Sequence, residues 1–452
     1  MSPLYILFLV LAAVTMLLLM VLKFRLNAFI ALLITSILVA IMAGMPLTSI
    51  TSSIQEGMGS TLGFIATVVG LGAIFGQMLE TSGGAKALST YLLKKFGTKR
   101  ASWALMLTGF IVGIPIFLDI GFIILVPIVY SLTRSTGKSI LYYAIPLLAG
   151  LAVAHSMVPP TPGPTAVAQI LEVDLGWVVL FGLMTGLPTA IIAGPIFGQF
   201  IAKKIHVNVP EILIEEDTIR KTDEKNLPSF GLVAFLVALP LILIIASTFL
   251  NLSIEKKIIE KSLFTDLIVF LGHPFTALII ATLLSILTCL RRNFTASELL
   301  NLSTKALGPA GIIILVTGAG GVLKQILIDS GIGKILAESV AGNSVPLLVL
   351  AWLIAALVRI AQGSATVAMI TSASIISPMV KIFALSQPQT ALVVVSIAAG
   401  ATIMSHVNDS GFWIVSRYLG MDEKQTLKSW TVMETIVAIA GLAFTMIISL
   451  FF

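Results

Sequence analysis

The sequence predicts an all-α polytopic membrane protein of two inverted repeats, each with a re-entrant hairpin and a broken transmembrane helix. Three observations carry that expectation. Of the 452 residues, 58% are hydrophobic and 11% charged, against about 25% charge in a soluble domain. Two long apolar runs are interrupted at corresponding places in the two halves, a pattern that marks a binding site near the midplane. Several residues also recur at two closely similar spacings. Gln77, Gly83 and Lys86 return as Gln325, Gly331 and Lys334 after 248 positions, and Pro127 and His155 as Pro378 and His406 after 251.

Spans of about 20 apolar residues are expected at 3–22, 25–44, 62–81, 139–172 (broken), 176–202, 228–250, 264–290, 308–328, 388–420 (broken) and 429–451. Met1-Ser2-Pro3 lacks the basic region of a cleaved signal peptide, so the first apolar run reads as the first span. Two further regions, 101–133 and 345–380, are each long enough for two short helices and carry breaking or polar residues at the middle. They are expected to be hairpins whose tips stop inside the membrane; the other reading is two ordinary kinked spans. The repeats are then 1–204 and 228–452, with a charged cytoplasmic linker at 205–227 that includes Glu211, Asp217 and Lys225. Five full crossings per repeat, an odd number, put the two copies in opposite orientations.

Lysine and arginine set the orientation. Lys23 and Arg25 follow the first span, so the N-terminus is expected outside. The stretch 45–61 has no cation and should be an outer loop. Lys94, Lys95, Lys203, Lys204, Arg291, Arg292, Arg417 and Lys424 fall on the cytoplasmic side, whereas 251–263 is placed outside despite Lys256, Lys257 and Lys261. The net charge of +6 resides in these short loops, so it is no sign of nucleic-acid binding. The single cysteine, Cys289, lies in an apolar run and excludes a disulfide framework. No cofactor or metal is expected.

The first break runs Ala154-His155-Ser156-Met157-Val158-Pro159-Pro160-Thr161-Pro162-Gly163-Pro164-Thr165; its four prolines cannot continue a helix. The second is Ser405-His406-Val407-Asn408-Asp409-Ser410-Gly411. Unwound backbone at membrane depth survives only inside protein or around a water-filled cavity. The hairpin middles are Gly113-Ile114-Pro115-Ile116-Phe117-Leu118-Asp119-Ile120-Gly121 and Arg359-Ile360-Ala361-Gln362-Gly363-Ser364-Ala365-Thr366.

The segments 159–166, 359–368 and 405–413 together resemble the gluconate permease family of proton-coupled symporters, over essentially the whole chain. The resemblance implies an elevator-type transporter, working as a homodimer in the bacterial cytoplasmic (inner) membrane, that imports gluconate or a related sugar acid with protons. One branch of the family carries D-serine, but Gly163-Pro164-Thr165 and the 405–409 segment are similar to the sugar-acid branch. Na⁺ coupling stays open. The sequence departs from the family at the first hairpin tip, where Asp119 replaces the usual glutamate and shortens the reach of the carboxyl group.

An anionic, hydroxylated substrate needs positive dipole ends and small polar groups. Helix N-termini after a break supply the first, which points to Gly363, Ser364 and Thr366 and to Gly163 and Thr165. Ser156, Thr161, Gln362, Ser405, Asn408 and Ser410 supply the second. Intramembrane ionisable residues are costly and functional by default: here Asp119, His155, Arg359, His406 and Asp409. Asp119 is the first candidate for carrying a proton. His155 and His406 either share that role or pin unwound backbone. Arg359 either holds the substrate carboxylate or pairs with Asp409. His206 and His273 read as structural, and Gly70, Gly72, Gly76, Gly318, Gly320 and Gly321 as close-packing positions.

An intramembrane hydrolase would also place His and Asp at midplane, but His-Glu-x-x-His and Gly-x-Ser-x-Gly are absent from the sequence. A channel would favour rings of like residues. Saturable counterflow marks a carrier, product formation an enzyme, and unsaturable flux a channel.

Overall fold

The computed structural model describes residues 3–210, 227–332 and 346–452, and among them there is no strand. The first half begins with α1 (Pro3–Leu22), α2 (Ala28–Met42), α3 (Leu47–Thr81) and α4 (Gly84–Phe96). Next come α5 (Ala101–Gly113), α6 (Leu118–Thr136), α7 (Leu141–Met157) and α8 (Pro162–Ile170). It closes with α9 (Leu175–Ile191) and α10 (Phe197–Lys204), joined by a π turn at Ile192–Ile196. The second half has α11 (Phe230–Glu255), α12 (Leu263–Gly272), α13 (Pro274–Leu290) and α14 (Ala296–Asp329). Then follow α15 (Leu347–Gln362), α16 (Ala365–Ile382), α17 (Gln387–Gly400) and α18 (Ser410–Leu419). The short α19 (Glu423–Thr426), a π turn at Leu427–Thr431 and α20 (Val432–Ser449) end the chain. Among the described residues, eight helical stretches are long and apolar enough to cross a bilayer, or nine if the bent pair α12–α13 is one span.

Both expected breaks are present, at 158–161 between α7 and α8 and at 401–409 between α17 and α18. Three expectations need correction. The stretch 45–61 is mostly helix, because α3 begins at Leu47. Its hydroxyls bond back along the helix, Ser53 Oγ to Ser49 O at 3.0 Å and Thr51 Oγ1 to Thr48 O at 2.9 Å, so polar composition hid a helix. In the same way the span expected at 308–328 starts at Ala296. The span expected at 264–290 is broken, with a 67° bend between α12 and α13. Pro274 fits the first helical position and forces His273 into an extended conformation (φ −61°, ψ 136°), where its Nδ1 accepts from Phe275 N–H.

Most of the linker, 211–226, lies outside the described residues, as does the segment 333–345, which holds Lys334 and only the first residue of the second expected hairpin. The linker's first residues are not free loop: Val207 O accepts from Ile140 N–H at 3.0 Å, and Ser139 Oγ bonds Ile205 O at 3.0 Å.

The long helices α3 and α14 pack along one another. Gly57 lies against Gly321 and Val322, Gly318 against Met58 and Leu62, and Gly70 against Leu307. As one chain ascends the other descends, so these two corresponding helices run antiparallel. A methyl group on Gly57 would sit 2.6 Å from Gly321 O, so only glycine permits this approach. Gly72 similarly faces Pro160, and Gly320 faces Ile370. After each long helix the chain turns through a left-handed glycine, Gly83 (φ 75°) and Gly331 (φ 72°). Gln77 and Gln325 each bond an acid one turn on, Glu80 at 3.2 Å and Asp329 at 2.9 Å.

The hairpin geometry follows from neighbours. Gly109 and Gly113 pack on Leu147 and Leu151, in constant register, so α5 runs parallel to α7. Since α7 starts where α6 ends, α6 must return to the end from which α5 set out. Ser396 bonds Leu348 O at 2.7 Å and Gly400 packs on Trp352, so α15 is parallel to α17 and α16 returns likewise.

Long-range contacts sort the loops into two ends. One end gathers Tyr5 with Met42 O, Ser53 with Asp329, Thr248 with Asp174, and Gln389 with Phe452 O. At this end Glu172 bonds Lys324 at 2.7 Å and Lys381 at 3.0 Å. Burial alone would raise the Glu172 carboxyl, but the two ammonium groups outweigh it and hold it below the usual range, so this tie weakens as pH falls through that lowered value. The opposite end gathers Gly83 with Leu227, Tyr91 with Phe230, and Tyr130 with Tyr418 O. Cysteines placed at the exposed Thr48 and Ser229 should therefore react with an impermeant maleimide from opposite faces of a sealed vesicle, with Cys289 silent because it is buried against Met78 O. Labelling of both from one face would contradict the packing.

Candidate functional site

The site forms where the second hairpin meets the second break. Helix α15 ends at Gly363, whose left-handed φ of 83° is open to glycine and strained for other residues. A methyl group there would also run into the backbone of Asn408, so the hairpin turn and the unwound strand touch main chain to main chain. Asn408 Nδ2 donates to Ile360 O at 3.1 Å and to Ala361 O at 3.3 Å. His406 Nε2 donates to Ile360 O at 2.9 Å, so this imidazole pins backbone.

One ion pair centres the arrangement. Arg359 Nη2 meets Asp409 Oδ2 at 2.5 Å, with side chains 4% and 14% exposed. Arg359 Nη1 donates to Gly363 O. Asp409 also caps α18, its Oδ1 accepting from Gly411 N–H at 3.1 Å, while its Oδ2 accepts from Ser405 Oγ at 2.5 Å. Trp430 Nε1 donates in turn to Ser405 Oγ at 2.6 Å, and Thr431 Oγ1 to Ser405 O.

Beside this network lies a cavity of about 410 Å³, within the roughly 300–1,000 Å³ of small-molecule clefts. Of the residues singled out in the sequence, it is lined by Asp119, His155, Ser156, Arg359, Gln362, Gly363, Ser364, Thr366, Asn408, Asp409 and Ser410. Both hairpin tips therefore face one space. Ser364 Oγ accepts from Val367 N–H at 3.4 Å and caps α16, whose N-terminus opens on the cavity. Eleven buried side-chain polar atoms among the described residues lack a hydrogen-bond partner, and four belong to lining residues: His155 Nδ1, Arg359 Nε, Gln362 Oε1 and Glu434 Oε1. Buried polar groups are normally paired, so such a cluster around one space fits a site that a polar ligand completes.

The remaining expected residues stand apart from the lining. Thr161 Oγ1 bonds Val158 O at 2.6 Å and Thr165 Oγ1 bonds Thr161 O at 2.7 Å, so the first break satisfies itself. Gly163 is the close contact with Met369 of α16. Ser405 and His406 support the network without lining the cavity. The two histidines that match in sequence differ here: His155 is inside α7, whereas His406 is in unwound chain. Sequence reasoning missed Phe117, Thr402, Trp430 and Glu434 in the lining. Glu434 carried one signal, as the lone acid of the apolar run 429–451, but nothing in the sequence ties it to either break.

The chain is similar to known proteins over nearly its whole length. The family model of GntP family permeases matches residues 5–451. A gluconate permease of Pseudomonas aeruginosa is 38% identical over 96% of this chain and 95% of that protein. The low-affinity gluconate transporter of Escherichia coli K12 is 38% identical over 95% of both chains. The Gnt-II system L-idonate transporter of the same organism is 36% identical, over 95% of this chain and 96% of that one. In fold, the chain matches the crystal structure of the Alcanivorax borkumensis YdaH transporter, with a TM-score of 0.62, 13% identity and 90% of each chain covered.

Asp409→Asn leaves the Arg359 guanidinium buried without its counter-charge. The expected cost is about 3 kcal/mol of stability, read as a lowered melting temperature in detergent together with weakened ligand binding. An unchanged melting temperature would contradict the central place given to this pair.

Proposed function

The chain belongs to the GntP family of permeases, and from that membership we propose that it is a secondary transporter importing gluconate, or a closely related sugar acid, by proton symport. It is no enzyme. The observation that carries the site reading is the cluster of unpaired polar atoms around one cavity between the two hairpin tips. Gluconate comes first because relatives named for it cover about 95% of the chain. L-Idonate is the second acid to try, since the relative named for it is nearly as similar. D-Serine and Na⁺-coupled carboxylate transport remain the alternatives to be set against it.

In this account the substrate carboxylate lies at the N-terminus of α16, near Ser364 and Thr366, where backbone N–H groups and the helix dipole favour an anion. Gln362, Asn408 and Ser410 hold hydroxyl groups. Arg359 keeps its pairing with Asp409 and offers the remaining Nε–H.

Asp119 carries the proton. It lines the central cavity and also a second one of about 310 Å³, whose wall includes Gln77, Glu80 and Lys305. A carboxyl group between two spaces can meet the substrate on one side and exchange its proton through the other.

The antiparallel pair α3 and α14 and the two returning hairpins support inverted repeats and re-entrant hairpins, with both tips near the bilayer midplane. Membership of the family supports an elevator working as a homodimer in the bacterial cytoplasmic membrane. The cation distribution supports the N-terminus, and the end that holds Thr48, on the outside.

Uptake by proteoliposomes tests the reading. Gluconate should accumulate under an imposed pH gradient, acid outside, and stay unaffected by a Na⁺ gradient; the reverse pattern would sink proton coupling. Asp119→Asn mimics the protonated acid. It is expected to exchange gluconate in counterflow yet to lose accumulation against a gradient. Normal pH-driven accumulation by this variant would remove Asp119 as the carrier and bring His155 or His406 forward.

A further inference from the structure

Among the described residues the ion pairs are Lys261–Asp266, Lys324–Glu172, Lys381–Glu172 and Arg359–Asp409. Glu434 has none. It sits in the first turn of α20, directly after the π turn that carries Trp430, and is 3% exposed. Its Oε1 has no hydrogen-bond partner, and it lines the central cavity. The polar neighbours on its own stretch are already engaged, Trp430 Nε1 and Thr431 Oγ1 both with Ser405. The ionisable groups facing it are Arg359 from α15, Asp409 from the second break, Asp119 from α6 and His155 from α7. Helices α9 and α17, which also pack on α20, contain no ionisable residue.

The charge balance of the cavity follows. Three carboxyl groups line it, Asp119, Asp409 and Glu434, against a single guanidinium. That guanidinium is spent on Asp409 at 2.5 Å. A substrate anion entering this space would face two further carboxyl groups with no cation for either. Like charges in a partly dry site repel strongly, and protons are the means of removing them.

We propose that Glu434 is a second proton-binding carboxyl group of the transport cycle, taking up a proton as the substrate anion enters beside Arg359. The proposal rests on the proton-symport reading above. The proton comes from water in the cavity, adds to a carboxylate oxygen and leaves again when the anion departs. A group protonated in the bound state makes affinity fall as pH rises, and each such proton steepens the dependence by about tenfold in Kd per pH unit over the range in which it is taken up.

Calorimetric titration of the purified transporter with gluconate, repeated in buffers of different ionisation enthalpy, counts the protons taken up per substrate bound. Wild type is expected to take up more than Glu434→Gln, by about one proton, and more than Asp119→Asn by a similar amount. Glu434→Gln binding with the wild-type proton count would overturn the proposal. Should the glutamine variant fail to bind, Glu434→Asp decides. Aspartate is intrinsically the stronger acid, so its Kd profile should move to lower pH, and a profile superposed on wild type would overturn the assignment. A wild type that takes up no proton overturns the symport reading and this one together. Protons lost in Asp119→Asn but kept in both Glu434 variants overturn this one alone.

Discussion

The contact between Arg359 and Asp409 is the constraint on which the site depends. Arg359 ends one arm of a hairpin, and Asp409 starts the helix after a break 50 positions along the chain. Neither charge could stay buried alone. Their pairing fixes the hairpin turn against the unwound strand, where the missing side chain of Gly363 lets the two backbones touch. Ser405 and Trp430 complete the frame. The hydrogen-bonding capacity left over, on Arg359 Nε and Gln362 Oε1, faces the cavity. The frame is saturated and its inner face is not, which is how a rigid binding site differs from a structural knot.

The two breaks contribute unequally to the cavity. The first break closes on itself through Thr161 and Thr165, and its glycine packs against α16. The second break exposes Asn408 and Ser410 to the cavity. From the first half come Asp119, His155 and Ser156, and from the second the ion pair and the open helix N-terminus. The same halves differ at the ends: Glu172 gathers two lysines of the second half and ties the end of α8 to α14 and α16.

Much of this was legible in the sequence, for physical reasons. The proline cluster at 159–164 cannot continue α7, and the polar run 405–411 is out of place in an apolar helix, so both breaks could be placed, although Pro162 and Pro164 fall in the first turn of α8 and Ser410 and Gly411 open α18. Arg359 and Asp409 were open to two readings, and the structure has them paired. What the sequence concealed falls into three kinds. Hydroxyl-rich turns such as 48–53 look like loop, yet bond to their own helix. A histidine before a proline at 273 bends a span that composition alone runs straight through. Glu434 lies far along the chain from either break, and only the packing of α20 on α7 and α17 brings it to the cavity. Motif reading finds residues close in sequence to a break; it does not find a lone acid delivered by tertiary contact.

The central claim is that the space between the two hairpin tips is where the substrate is bound. A structure determined with gluconate present tests it most directly. The account expects ligand density in the cavity bounded by Asp119, Arg359, Ser364 and Asn408, with the carboxylate at the start of α16 and an acceptor atom within hydrogen-bonding distance of Arg359 Nε. Density for gluconate elsewhere, with this cavity empty and its four polar atoms still unpaired, would contradict it.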